Sequence, residues 1–259
     1  ICGSDLHVVC HGAGITHSMP CPHGYPGHEG IGEVVESNHT GVAAGTRVLC
    51  FPFAGMAEGF SEYQRMNGKY VLPLPECDVP EEQLLMAQQL GTVIFAARQR
   101  PVDVVGKTVL VMGQGSAGLF WAYWMKRSGA ARVIVSDLSD ARLAVSPGFG
   151  ADVAINAGEV DVHEAIAELT GEGPDYVIEA VGRAGTLYQS IELVRPGGDL
   201  LWFGLPDSYD IVQISFSKFF SKRLSASSTI GAQDEGDAVS FQMALDHNAG
   251  HQIDVSPVL

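Results

Sequence analysis

The chain has 259 residues, enough for one large or two ordinary domains with a buried core in each. A formal net charge of −15 without a block of like charges excludes an electrostatic binder of nucleic acid or anionic membrane, and leaves a small molecule as the expected partner. Five cysteines at 2, 10, 21, 50 and 77, odd in number and irregular in spacing, argue against a secreted disulfide framework and for a reducing cytoplasm.

Residues 1 to 84 are rich in Gly, Pro and His, with short β-type runs at 31–37, 46–51 and 68–75 between turn residues. This part reads as a small, irregular β domain. A helix is expected over 81–99. The apolar stretch 84–97 inside it is interrupted by Gln88 and Gln89 and falls short of the ~18 residues of a membrane span, so no transmembrane helix is expected.

From residue 85 the texture changes. Short apolar runs at 107–113, 132–137, 152–156, 175–182, 199–204 and 224–230 alternate with helical stretches at 116–129, 139–147, 160–170, 184–194 and 215–222. That alternation is the pattern of an α/β doubly wound parallel sheet of the Rossmann type, here spanning 85–232. A helix over 235–248 and an apparent strand at the end complete the chain as a third segment, 233–259.

The first strand of the sheet runs directly into Gly113-Gln114-Gly115-Ser116-Ala117-Gly118, and a helix follows. In that context Gly113 permits the tight turn, Gly115 lets backbone N–H groups approach a pyrophosphate, and Gly118 allows close helix–strand packing. Asp137 ends the next strand, where a carboxylate accepts both adenosine-ribose hydroxyls and repels a 2′-phosphate. No Arg directly follows it, so NAD is favoured over NADP. Two later strand ends, Val181-Gly182 and Phe203-Gly204, lie where the sheet edge meets the nicotinamide half, although a glycine after a strand also serves simply to end it.

The opening residues combine Cys2, Ser4, Asp5 and His7, and His28 and Glu29 follow downstream. A catalytic zinc takes three N, S or O ligands plus an open position, and Cys2, His28 and Glu29 supply one of each type. Taken singly each is bland: a lone Cys is often a small core residue, and a lone His or Glu a surface one.

"ICGSDLH" (1–7), "GHEGIGEV" (27–34), "VLVMGQGSAGL" (109–119), "SDLSDARL" (136–143) and "DYVIEAVG" (175–182) occur in an order and at distances that resemble the medium-chain, zinc-dependent alcohol dehydrogenases, particularly the sorbitol and threonine dehydrogenase branch. The resemblance implies a GroES-like β-rich catalytic domain over 1–84, incomplete because its first strands and the last returning strands are missing. It implies Cys2, His28 and Glu29 as ligands of one catalytic zinc, Asp5 as the acceptor that orients His28, and Ser4 and His7 as a proton relay. Ser116, Ala117 and Arg142 join the cofactor-binding set. The implied reaction passes a hydride from a secondary alcohol or polyol to NAD, with zinc as the Lewis acid.

Departures from the family pattern are equally specific. Gln88 stands where the family supplies a Cys or Glu at the metal, so either Glu29 completes the site with Gln88 as a hydrogen-bonding neighbour, or the site is weakened and empty. No close cysteine quartet follows Cys50, so no structural zinc is expected, and His11, His17, Cys21 and His23 fit no standard second site. A zinc-free quinone or enoyl reductase of the same superfamily and a non-catalytic redox sensor are the alternative functions. A homo-oligomer is expected by analogy, through the edge strand at 224–230.

Overall fold

The computed structural model describes residues 2–11, 21, 23–53, 57–206 and 211–259. The chain divides into two compact units, Ile1–Phe95 with Gly231–Leu259, and Ala96–Ile230. The division falls inside a long helix, later than the change of texture at residue 85.

In the first unit, helix α1 spans Gly3–His11. Sequence patterning places only irregular β structure there, because the nine residues carry no apolar period. A local device explains the helix: Asp5 is an acid in its first turn, and its Oδ2 accepts from the Cys2 N–H at 2.8 Å, which is half of a capping box. Strands β1 (Gly30–Glu33), β2 (Arg47–Cys50) and β3 (Val71–Pro73) form an antiparallel sheet in that order, with Ile31 opposite Leu49 and Leu49 opposite Leu72. The expected run at 68–75 is only part strand, since Asn67 caps a 3₁₀ turn over Gly68–Tyr70.

The helix expected at 81–99 is broken at Met86 into α2 (Glu81–Leu85) and α3 (Ala87–Gln99). Gly91 on α3 is packed against Phe241, where a Cβ would come within 2.4 Å of the ring. Phe241 in turn stacks on Phe51 at 4.3 Å, and Tyr70, Phe95, Ala232 and Ala238 close this core. The late segment therefore belongs to the first unit because its apolar groups are buried there. Its end corrects the expected terminal strand: 251–259 forms turns and a 3₁₀ helix, Ser256–Val258, because the Asp254 carboxylate captures the Ser256 N–H and Pro257 cannot donate to a ladder.

The second unit begins with β4 (Thr108–Met112), α4 (Ser116–Arg127), β5 (Arg132–Asp137), α5 (Asp140–Val145), β6 (Val153–Asn156) and α6 (Val162–Thr170). It continues with β7 (Tyr176–Glu179), α7 (Ala184–Leu193), β8 (Asp199–Trp202), α8 (Phe216–Ser221) and β9 (Ser225–Ser228). Helix α9 (Val239–Ala249) lies in the first unit. The six strands are all parallel in the order β6-β5-β4-β7-β8-β9. This is the order of two mononucleotide-binding halves that reverse direction between β4 and β7. Central strands of such a sheet are covered on both faces, which is why Val109–Met112 and Tyr176–Glu179 are buried throughout. Leu110, Ile134, Val177, Ile191 and Leu200 form the heart of one face.

Candidate metal centre and dinucleotide site

Cys2 precedes α1, and His28 and Glu29 precede β1. The segment carrying the latter two is held by Gly59 N–H to Gly27 carbonyl (2.7 Å) and Phe60 N–H to Gly24 carbonyl (3.0 Å). Gly27 and Gly59 allow this approach, since a Cβ on Gly59 would lie 2.6 Å from the Gly27 carbonyl oxygen. Cys2, His28 and Glu29 come together as a result, each offering a ligand atom within 4.8 Å of the others. It is the one such cluster of three or more His, Cys, Asp or Glu among the described residues.

The surroundings fit a cation. His28 Nδ1 lies 3.1 Å from Asp5 Oδ1, which leaves Nε2 as the ring nitrogen free of the carboxylate. Ser4 Oγ is 3.2 Å from that Nε2. Glu29 Oε1 is buried without a hydrogen-bond partner, a costly arrangement that a cation would relieve. Burial opposes a charge on His28, but its hydrogen bonds to Asp5 and Cys2 and the charges of Cys2 and Glu29 outweigh it and raise its pKa from 6.5 to about 10. Burial also pushes Asp5 upward, but the hydrogen bonds to His28 and the Cys2 N–H prevail, and its carboxyl stays below the ordinary range.

A divalent cation requires neutral imidazole, so its uptake releases the His28 proton, and affinity will rise with pH up to about 10. Chelator competition across pH tests this. In the same assay Asp5→Asn will weaken zinc roughly 10–100-fold, because the orienting acceptor behind His28 is compromised; unchanged affinity would show that Asp5 only caps α1.

Of the other residues named from the sequence, the side chains of His7, Cys10 and His11 and positions 12–20, including His17, lie outside the described residues. Gln88 is buried in the first turn of α3. Cys50 is buried, which pushes its thiol up to about 11 and makes it an inert core group.

In the second unit the β4–α4 turn has the form its glycines require. Gly113 has φ +91°, and a Cβ there would meet Val181 Cγ2 at 2.8 Å. A Cβ on Gly118 would lie 1.9 Å from the Gly113 carbonyl oxygen, so only glycine lets α4 start this close to the strand. A Cβ on Gly115 would meet nothing within 4 Å. Gly115 caps α4 without a side-chain bond, leaving the first-turn N–H groups of Ser116 and Ala117 at a helix N-terminus suited to a phosphate.

Asp137 stands at the end of β5, its Oδ2 accepting from the Gln114 N–H at 2.6 Å and its Oδ1 from the Ser139 N–H at 2.9 Å. Arg142 NH1 approaches Asp137 Oδ2 at 3.7 Å, a pairing that sequence spacing did not reveal. Two residues escaped sequence reading. Gln114 is wholly buried, donates to the Gly113 carbonyl and accepts from Ser146, locking the glycine turn. Glu179, at the end of β7, is also wholly buried. The signal for both was the polar residue inside an apolar or glycine-rich run.

The second unit is a parallel α/β sheet whose glycine turn is suited to a dinucleotide, and the first carries a cluster of residues that could hold a metal ion. Residues 1–76 match the family model described as alcohol dehydrogenase GroES-like domain, and residues 117–245 that described as zinc-binding dehydrogenase. An L-threonine 3-dehydrogenase of Saccharopolyspora erythraea is 28% identical over 286 aligned residues, covering 100% of this chain and 80% of the relative. Two solved structures from Escherichia coli share the fold. L-idonate 5-dehydrogenase has a TM-score of 0.82 at 24% identity, covering 99% of this chain and 79% of that one. Galactitol-1-phosphate dehydrogenase has 0.84 at 20%, covering 99% and 81%. The chain belongs to the medium-chain, zinc-dependent alcohol dehydrogenase family, in its sorbitol- and threonine-dehydrogenase-like part.

Proposed function

We infer that this chain oxidises a secondary alcohol or polyol, passing a hydride to NAD, with one catalytic zinc and no structural zinc. The observation that carries the reading is the Cys2–His28–Glu29 cluster with Asp5 behind His28 and the Ser4 hydroxyl beside it. Zinc held by those three residues supplies the Lewis acidity that makes a substrate hydroxyl easier to deprotonate. The chain's own residues do the rest. Ser4 Oγ takes the hydroxyl proton and hands it to solvent through His7, and Asp5 keeps the His28 ring oriented. The balance is one alcohol and NAD⁺ giving one ketone, NADH and a proton.

Asp137 supports NAD over NADP. Its carboxylate is held by the Gln114 and Ser139 N–H groups at the end of β5, and Arg142, 60% exposed on its side chain, pairs with it too weakly to cancel its repulsion of a 2′-phosphate. Steady-state assays of NADH formation with secondary alcohols and polyols, threonine among them, test the activity together with elemental analysis. Turnover with NAD preferred and about one zinc per chain is expected; a folded protein that binds neither zinc nor NAD and turns over nothing sinks the reading.

The reading extends to a homo-oligomer. β9 is the edge strand of the six-stranded sheet, and Ile211 and Ile230 are 96% and 85% exposed in the same unit. Light scattering will give a multiple of the chain mass; a monomer at micromolar concentration overturns it. A reducing, cytoplasmic setting suits Cys2, Cys21, Cys50 and Cys77, which form no disulfide among the described residues. Among the described residues no helix is long and apolar enough to cross a membrane.

A further inference from the structure

Glu179, the last residue of β7, accepts more hydrogen bonds than the strand ladder uses. Its backbone carbonyl accepts from the Phe203 and Gly204 N–H groups, each at 2.9 Å. Its side-chain Oε1 accepts from the Val181 and Gly182 N–H groups, each at 2.9 Å, and from the Thr186 hydroxyl at 2.7 Å, which has the Arg183 carbonyl as its other acceptor at 2.9 Å. One residue thus ties down the turn after β7 and the turn after β8.

Among the described residues no other side chain hydrogen-bonds these turns, which meet backbone to backbone. A Cβ on Gly182 would lie 2.0 Å from the Leu205 carbonyl oxygen, and one on Gly204 would lie 2.2 Å from the Gly182 nitrogen. On its other flank the β7 turn abuts the glycine loop, through Val181 against Gly113. That loop has its own lock in Gln114, so a shift of residues 180–182 would be felt first in the turn after β8, which they meet backbone to backbone.

Stability alone does not call for a carboxyl here. Glu179 is 0% exposed and its Oε2 is buried without a hydrogen-bond partner, and burial pushes its pKa up against the hydrogen bonds that lower it. Filling such a place with an apolar side chain generally costs the fold less than burying a half-satisfied acid. What only a carboxyl or amide provides is an acceptor aimed at two successive N–H groups. β7 and β8 belong to the second mononucleotide half, whose carboxyl ends receive the nicotinamide side of a dinucleotide.

We propose that Glu179 is a positioning residue for the nicotinamide half of the cofactor, holding the 180–182 and 203–205 turns in the shape that half requires; the proposal rests on the NAD reading above. Calorimetry on the full chain with NAD and with ADP-ribose, which lacks nicotinamide, tests it. Glu179→Ala will weaken NAD at least ~10-fold, as loss of a buried acceptor converts to, while ADP-ribose stays within about 2-fold. Glu179→Gln keeps the acceptor oxygen and will stay within about 3-fold of the parent for NAD. If Glu179→Ala fails to fold, Thr186→Val removes a single donor and will show the same selective loss at roughly 3-fold. Equal weakening of both ligands, or of neither, overturns the proposal. A parent protein that binds neither ligand overturns the NAD reading itself, and is seen without any variant.

Discussion

Cys2→Ser will purify without zinc and without alcohol-oxidising activity, while still binding NAD. In the proposed site zinc would be held by thiolate, imidazole and carboxylate, and a serine hydroxyl at neutral pH offers neither the charge nor the softness of the thiolate. The two other proposed ligands, His28 and Glu29, are adjacent in sequence and come from one segment, so removal of Cys2 deletes the proposed ligand that stands just before α1. The loss in metal affinity will exceed the ~10–100-fold that removal of an outer hydrogen-bond partner costs. The Asp5 cap on the Cys2 N–H uses backbone and survives the change, so the helix start is retained. Elemental analysis and NAD titration of the same preparation decide it: zinc retained at one per chain would remove Cys2 from the ligand set and bring Gln88 or a zinc-free chemistry forward.

Two alanine substitutions in one glycine loop will separate folding from cofactor binding. At Gly118 the new methyl would sit 1.9 Å from the Gly113 carbonyl oxygen and 2.8 Å from its carbon, both backbone atoms that cannot swing aside. Gly118→Ala will therefore cost about 3 kcal/mol or more and lower Tm by roughly 10 °C. At Gly115 the methyl meets nothing within 4 Å, and the backbone there, φ −66° and ψ 178°, is open to any residue. Gly115→Ala will keep its Tm within about 2 °C yet weaken NAD at least ~10-fold, because the methyl stands where the pyrophosphate approaches the α4 N–H groups. Thermal unfolding and calorimetry read the two effects separately. NAD affinity unchanged in Gly115→Ala would move the pyrophosphate elsewhere.

The six parallel strands and their helices were legible from sequence because each carries its own local signal. A buried parallel strand needs an unbroken apolar run such as Val109-Leu110-Val111-Met112, and an amphipathic helix needs its period, whatever else the chain does. The first unit was less legible. α1 depends on a capping contact between Cys2 and Asp5 rather than on periodicity, and the terminal residues read as strand although Asp254 and Pro257 turn them.

Residue types and spacing by themselves determined the glycine turn, the acid at the end of β5, and the thiol, imidazole and carboxylate that a zinc centre calls for. Only the tertiary structure decided that Asp5 stands behind His28 across 23 positions of sequence, that Arg142 leans on Asp137, that Gly231–Leu259 packs with the first unit, and that Glu179 gathers two turns at once. The reason is physical: backbone conformation and burial pattern are set over a few residues, whereas hydrogen bonds between distant side chains exist only after packing has brought their atoms within about 3 Å.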